Sequence, residues 1–115
     1  MVKISYIPDR GDIAWVNFSP RRGREQKGQR PALVLTVKYY NERSGLALVC
    51  PITSKKKGYP FEVGFVAKKI EGVVLADQII SIDWKKRNAK FAECIESRVL
   101  TEVQEKIAVL LGDAY

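Results

Sequence analysis

The feature of this sequence that most restricts its fold is a series of short apolar segments bounded by glycine, proline and asparagine. The segments are rich in β-branched and aromatic residues, which is typical of β-strands. The predicted strands cover residues 12–18, 32–37, 46–50, 61–65, 73–80 and 91–96. Residues 20–29 form a glycine-punctuated loop between the first two strands, and residues 41–45 form a turn. A proline, Pro31, precedes the second strand, at a position where a strand tolerates one.

The C-terminal segment has a different period. Its apolar residues fall at helical spacing on one face: Val99, Leu100, Val103, Ile107, Leu110 and Leu111. Ser97 is the expected N-cap, Thr101 with Gln104 is an alternative capping box, and Gly112 is the expected stop. The pattern predicts a mainly β fold: a small antiparallel barrel of about six or seven strands, closed by one helix. Helices do not alternate with strands, which disfavours a doubly wound fold. The length supports a single domain, residues 1–115.

Composition excludes several kinds of chemistry. The chain has no histidine, which removes every mechanism built on an imidazole, and its two cysteines are too few for a zinc site. No metal site and no cofactor is expected. Cys50 and Cys94 lie in apolar stretches and are expected to be buried free thiols. The longest apolar run, residues 46–52, is far shorter than a membrane span, and residues 1–6 have no apolar signal core. A cytoplasmic protein without membrane contact is expected.

The positive charge is concentrated in the first half of the chain. The net charge is +7, from 20 basic and 13 acidic side chains. Most of the excess lies in two clusters, residues 21–30 and 55–57. Such clusters favour a polyanionic partner through counterion release and long-range attraction, and nucleic acid and an acidic peptide both fit. A solvated loop that keeps the protein soluble is the simpler alternative.

Three side chains have the chemistry for cleaving RNA without histidine. An internal 2′-hydroxyl attacks the neighbouring phosphodiester, and the protein stabilises the added negative charge and moves protons. Arg30 and Thr53 offer a guanidinium and a hydroxyl near predicted strand ends, and Glu25 offers a carboxylate within the basic loop. Each also has a structural interpretation: a loop anchor, a turn former and a charge-balancing partner. Asp77 and Gln78 interrupt an apolar segment and therefore need polar partners or a ligand.

Together these residues lie in segments that resemble the MazF/PemK family of toxin endoribonucleases, and most closely its MazF branch. The matching segments are GDIAWV (11–16), EQKGQRPALVL (25–35), PITS (51–54), KGYPFEV (57–63), GVVLADQ (72–78) and SIDW (81–84). Their order and spacing hold from about residue 6 to residue 112.

The resemblance implies an SH3-like antiparallel barrel that forms a homodimer. It implies metal-independent, sequence-specific cleavage of single-stranded RNA, chiefly mRNA, through a 2′,3′-cyclic phosphate. It also implies a cognate MazE-like antitoxin with an acidic, flexible tail.

By the same resemblance, Arg30, Thr53 and Glu25 are the expected catalytic residues. The expected RNA-binding residues are Arg22, Arg24, Gln26, Ser54, Lys57 and Gln78. Asn17 and Ser19 stand where family members often have acidic residues, and this departure concerns base preference more than catalysis.

Two other classes of function remain as alternatives. One is a non-enzymatic toxin of the same fold, like CcdB, which poisons DNA gyrase. The other is an SH3-like module that binds RNA or a peptide without cutting. A gyrase binder does not need the combination of Arg30 and Thr53 in this sequence context.

Overall fold

The computed structural model describes residues 6–18 and 28–113, which form seven strands and two helices. In chain order these are β1 (Asp12–Asn17), β2 (Gln29–Val34), α1 (Lys38–Ser44), β3 (Leu46–Thr53), β4 (Glu62–Val66), β5 (Glu71–Leu75), β6 (Ile80–Asp83), β7 (Lys90–Cys94) and α2 (Ser97–Leu110). The predicted loop at residues 20–29 lies almost entirely outside the described residues. The prediction of a mainly β fold with a C-terminal helix is confirmed.

The strands form one curled antiparallel sheet, a half-barrel. The order is β4–β5–β3–β2–β1–β7, and β6 also pairs with β3. Strand β3 organises the sheet, because it pairs with β2, with β6 along its first half and with β5 at Ile52 and Thr53. The C-terminal end of β3 is therefore held by β5.

Side chains on the two faces of the sheet form two apolar clusters, since successive residues of a strand point to opposite faces. In β1, Ile13 belongs to the cluster that packs against Val99 and Val103 of α2, whereas Ala14 and Val16 belong to the other. The second cluster also contains Val34, Val49, Ile82 and Trp84. Packing on both faces makes the strands a rigid scaffold for their ends and loops.

Helix α2 confirms the predicted C-terminal helix but not its predicted start. Its N-cap is Glu96, without a side-chain capping hydrogen bond, and Ser97 is already helical. The alternative capping box at Thr101 and Gln104 lies inside the helix, so both capping predictions are wrong. Gly112 follows the helix at φ 75°, a left-handed conformation that glycine adopts without steric cost.

Residues 41–45 form the end of a helix rather than the predicted turn. Asn41 is fully buried in α1, and its amide donates hydrogen bonds to the carbonyl oxygens of Pro8 (2.8 Å) and Thr36 (2.9 Å). Its own carbonyl oxygen accepts one from Trp84 Nε1 at 2.8 Å. These contacts between distant segments stabilise a short helix that local sequence preferences do not indicate.

The predicted strand 73–80 is divided in two. Strand β5 ends at Leu75, a turn follows, and β6 begins at Ile80. Asp77 and Gln78 are exposed between β5 and β6 and do not interrupt a strand, so the sequence-based reason for expecting a buried polar partner does not apply.

The two cysteines differ in environment. Both are free; Cys50 is fully buried, as predicted, but Cys94 is exposed, so that part of the prediction is wrong. Cys94 is the last residue of the edge strand β7 and pairs with Asp12. In the described ranges no helix is long and apolar enough to cross a membrane.

Candidate active site

The ends of β2 and β3 bring Arg30 and Thr53 to the same place. The antiparallel register pairs Ala32 with Pro51, and continuing it by two residues sets Arg30 opposite Thr53. The pairing of β2 with β3 stops at Ala32, although β2 remains paired with β1 as far as Gln29. Pro31 has no N–H to donate to a strand on that side, which explains why the ladder opens here.

A depression of about 350 Å³ lies where this ladder opens. It is lined by Gln29, Arg30, Pro31, Ile52, Thr53, Ser54, Lys55 and Glu71. Arg30, Ser54, Lys55 and Glu71 are exposed, while Thr53 is half-buried. The depression therefore combines two cationic groups, two hydroxyls and one carboxylate at a surface open to a large ligand.

The Thr53 side chain is oriented by its own loop. Its Oγ1 accepts a hydrogen bond from the backbone N–H of Lys55 at 3.1 Å. Because the hydroxyl accepts in this bond, its hydrogen is left for an acceptor such as a phosphate oxygen.

The close approach of β5 to the backbone of Thr53 requires glycine at position 72. Gly72 in β5 packs so closely that a Cβ atom there would overlap the Thr53 carbonyl oxygen and lie 3.4 Å from the Cα of Ser54. Strand β5 thus supports the residues that carry both hydroxyls of the depression.

Glu62 fixes the cationic loop beside the depression. Its carboxylate accepts hydrogen bonds from the backbone N–H groups of Lys57 (3.1 and 3.2 Å) and Gly58 (2.9 Å). Gly58 has φ 83°, which favours glycine. The side chains of Lys55, Lys56 and Lys57 are all exposed and create a positive surface next to Arg30.

The structure brings together three of the predicted site residues, Arg30, Thr53 and Ser54. Lys57 lies in the neighbouring loop and Gln78 in the turn after β5; neither lines the depression. The remaining predicted residues, Glu25, Arg22, Arg24 and Gln26, lie outside the described residues.

Glu71 was not among the predicted site residues, and Lys55 was predicted only as part of a basic cluster. Glu71 directly precedes the GVVLADQ segment, and its proximity to Thr53 depends on the pairing of β5 with β3, which local sequence does not reveal. Across residues 6–18 and 28–113, no group of three acidic or cysteine side chains is arranged to hold a metal ion.

A second and larger groove, about 520 Å³, lies between β4 and β7. Its lining is mostly apolar, including Phe65, Phe91 and Val99, and it contains none of the predicted site residues. It contains two lysines, Lys68 and Lys69, but neither an arginine nor a hydroxyl side chain, so the depression at Arg30 is the better candidate.

Known proteins share the sequence and the fold of this chain. Residues 9–111 match the family described as PemK-like, MazF-like toxin of type II toxin–antitoxin system. The chain is 45% identical over 107 residues to the endoribonuclease toxin MazF of Escherichia coli K12, covering 93% of this chain and 96% of that protein. It is 32% identical over 112 residues to the endoribonuclease EndoA of Bacillus subtilis, with coverages of 92% and 96%.

Solved structures show the same fold. The crystal structure of MazF from Deinococcus radiodurans superposes with a TM-score of 0.84 at 49% identity, covering 94% of this chain and 99% of that one. A MazE–MazF crystal structure from the same organism gives a TM-score of 0.84 at 45% identity, with coverages of 94% and 98%. The predicted family resemblance is confirmed: the chain belongs to the PemK-like, MazF-like toxins of type II toxin–antitoxin systems.

Proposed function

We propose that this chain, an endoribonuclease toxin of the MazF family, cuts single-stranded RNA, chiefly mRNA, in a sequence-specific reaction that needs no metal ion. A 2′-hydroxyl attacks the adjacent phosphorus, the bond to the 5′-oxygen breaks, and a 2′,3′-cyclic phosphate and a 5′-hydroxyl result. The observation that carries the proposal is that Arg30 and Thr53 line one depression at the open end of the β2–β3 ladder.

Arg30 and Thr53 have complementary roles in this reaction. The guanidinium of Arg30 binds two phosphate oxygens and stabilises the charge that develops on the phosphorane. The Thr53 hydroxyl donates a hydrogen bond to a non-bridging oxygen. We assign the acceptance of the 2′-hydroxyl proton to Glu25, and the leaving 5′-oxygen takes up a proton from water.

RNA binding extends beyond the depression. Ser54 adds a second hydroxyl, and Lys57 presents its charge from the loop that Glu62 holds. Gln78, Arg22, Arg24 and Gln26 complete the proposed binding surface. Single-stranded RNA suits an open surface of this kind, because its unstacked bases are free to contact side chains around the phosphate.

The antitoxin is proposed to use the same positive surface. An acidic, flexible, MazE-like tail is attracted to residues 55–57 and to the basic segment 21–30 for the same electrostatic reason as RNA. RNA and antitoxin then compete, and both affinities fall as salt increases. Substituting glutamate for Arg21, Arg22 and Arg24 reverses their charge and should weaken the binding of both RNA and the antitoxin tail. If this variant binds both ligands undiminished at low salt, the segment has a solubilising role only.

We also propose a homodimer that acts in the cytoplasm, where mRNA is translated. Exposed apolar side chains at β3, β6 and the preceding turn, namely Leu46, Ile79 and Ile80, support self-association. Sedimentation at micromolar concentration tests this: a protein that sediments at its 13.0 kDa chain mass would contradict it.

One experiment separates the proposed nuclease from the alternative functions. The purified protein is incubated with mixed-sequence RNA in EDTA, and the products are mapped by their 5′-hydroxyl ends. Discrete cuts with cyclic phosphate ends support the proposal. Binding without cuts indicates an RNA-binding module. A protein that neither cuts nor binds the RNA indicates a gyrase poison.

A matched substrate tests the route. An RNA with a single 2′-deoxy sugar at the scissile position should bind and resist cleavage there. Efficient cutting of that RNA would exclude attack by the 2′-hydroxyl.

A further inference from the structure

Glu71 is a carboxylate at a site that otherwise attracts phosphate. It lines the depression with Arg30 and Thr53, and it is the one acidic side chain among the lining residues. A negative charge at this place opposes the binding of a polyanion, so its presence needs a compensating role.

The backbone holds Glu71 firmly in place. It is the first residue of β5 and pairs with Val66 of β4. The next residue, Gly72, packs directly against the backbone of Thr53 and Ser54. The register that pairs Val73 with Thr53 runs antiparallel, so Glu71 lies beyond Thr53, level with Lys55. The carboxylate is therefore kept to one side of the Arg30–Thr53 pair.

The Glu71 side chain has no role in holding the fold together within residues 6–18 and 28–113. It is exposed and makes neither a hydrogen bond nor an ion pair with any described residue. In contrast, the carboxylates of Glu62 and Glu93 each bind backbone N–H groups, at Lys57 and Gly58 and at residues 68–70 respectively. The oxygens of Glu71 are thus left for a ligand.

An ionised carboxylate only accepts hydrogen bonds, which limits what it recognises. RNA offers donors at the amino groups of adenine, cytosine and guanine, and guanine adds an adjacent N1–H. Uracil has a single N3–H between two carbonyl oxygens, which repel a carboxylate. Single-stranded RNA is commonly read on these edges, with the bases splayed out.

We propose that Glu71 is a specificity-determining residue that selects an amino-bearing base next to the scissile phosphate and disfavours uracil there. Arg30 and Thr53 hold the phosphate, and Glu71 reads the base of a nucleotide that flanks it. The inference rests on the proposed function, since it assigns a base contact to the same site.

The test compares the cut sites of three proteins on one mixed-sequence RNA: the unmodified chain, Glu71→Gln and the control Glu102→Gln. Glu102 is an exposed carboxylate of α2, away from the depression. Glutamine keeps the length of the side chain but adds an amide donor for the uracil carbonyls. Good base contacts discriminate by about 1–3 kcal/mol, so we expect uracil to become at least about fivefold more frequent at one flanking position with Glu71→Gln. The control should match the unmodified chain.

The outcomes distinguish the inference from the proposed function. If the unmodified chain does not cut RNA, the proposed function is wrong. If it cuts and Glu71→Gln has the same base preference, at whatever overall rate, the inference is overturned. A uniform loss of rate with a changed pH profile would instead assign Glu71 to proton transfer and would equally overturn base selection.

Discussion

Gly72 packs against the backbone of Thr53, and a Cβ atom at position 72 would overlap the Thr53 carbonyl oxygen and lie 3.1 Å from its carbonyl carbon. Gly72→Ala therefore forces β3 and β5 apart at the depression. We expect a loss of about 1–3 kcal/mol in the free energy of unfolding and a cleavage rate at least about tenfold lower. Thermal melting and RNA digestion measure the two effects.

Gly64 provides the matched control in the neighbouring strand. A Cβ atom at Gly64 would meet only Val73 Cγ1, at 4.0 Å, which is ordinary van der Waals contact. Gly64→Ala should therefore keep both the melting temperature and the activity. Equal behaviour of the two alanine variants would show that the close approach at Gly72 does not matter.

Arg30→Ala should abolish most cleavage without affecting the fold. Arg30 is exposed, so removing it leaves no cavity, whereas losing a group that stabilises transition-state charge costs on the order of 100-fold in rate. Arg98→Ala is the control, because Arg98 is exposed on α2 and its ion pair with Glu96 lies in solvent. Wild-type cleavage by Arg30→Ala, at an unchanged melting temperature, would refute the assignment.

The hydroxyl at position 53, rather than its methyl group, should determine activity. Thr53→Ser keeps the oxygen that accepts from the Lys55 N–H and should retain most of the rate. Thr53→Ala removes that oxygen and should slow cleavage by about 10- to 100-fold. Single-turnover rates at saturating protein compare the three proteins, and equal rates for the alanine and serine variants would exclude a role for the hydroxyl.

The sequence predicts those parts of the fold that depend on local pattern. Short β-branched segments and the helical period after Ser97 identify six of the strands and α2, with boundaries that agree within three residues except at the end of β5, which was predicted five residues too late. Helix α1 was missed because the hydrogen bonds of Asn41 join segments far apart in the chain. Strand β6 was missed because apolar residues lie on both sides of the turn that contains Asp77 and Gln78. The sequence therefore reads as one continuous strand, whereas the structure has β5 before the turn and β6 after it.

The candidate site could be predicted only in part, for a related reason. Arg30 and Thr53 lie in segments that resemble a known family, and their proximity follows from the pairing of β2 with β3. The position of Glu71 depends on which strand lies on the other edge of β3. Sequence alone does not specify that neighbour, so a carboxylate 18 residues after Thr53 gave no signal.

Asn41→Ala should destabilise the protein, because Asn41 is fully buried; it does not line the depression. The substitution removes amide hydrogen bonds to Pro8 and Thr36 and leaves a buried and a half-buried carbonyl oxygen without that donor. We expect a loss of about 2–3 kcal/mol in the free energy of unfolding, measured by urea titration. Glu42→Gln, an exposed position in the same helix, should change it by less than about 0.5 kcal/mol. Equal stabilities for the two variants would contradict the structural role of Asn41.

The two thiols should react differently with an alkylating reagent. Burial, with a smaller contribution from Asp77, raises the pKa of the Cys50 thiol to about 12, so at pH 8 it is protonated as well as inaccessible. Residual desolvation and the neighbouring Asp12 carboxylate, 3.9 Å from Sγ, also raise the pKa of Cys94, but this thiol is exposed. Because the thiolate is the reactive form, a raised pKa makes alkylation slow at pH 7 and faster as the pH rises.

Mass spectrometry after iodoacetamide treatment should show one modified thiol in the native protein, at Cys94, and two in urea. A native protein modified at Cys50 first would contradict the position of β3 in the core, and Cys94→Ser should abolish native labelling altogether.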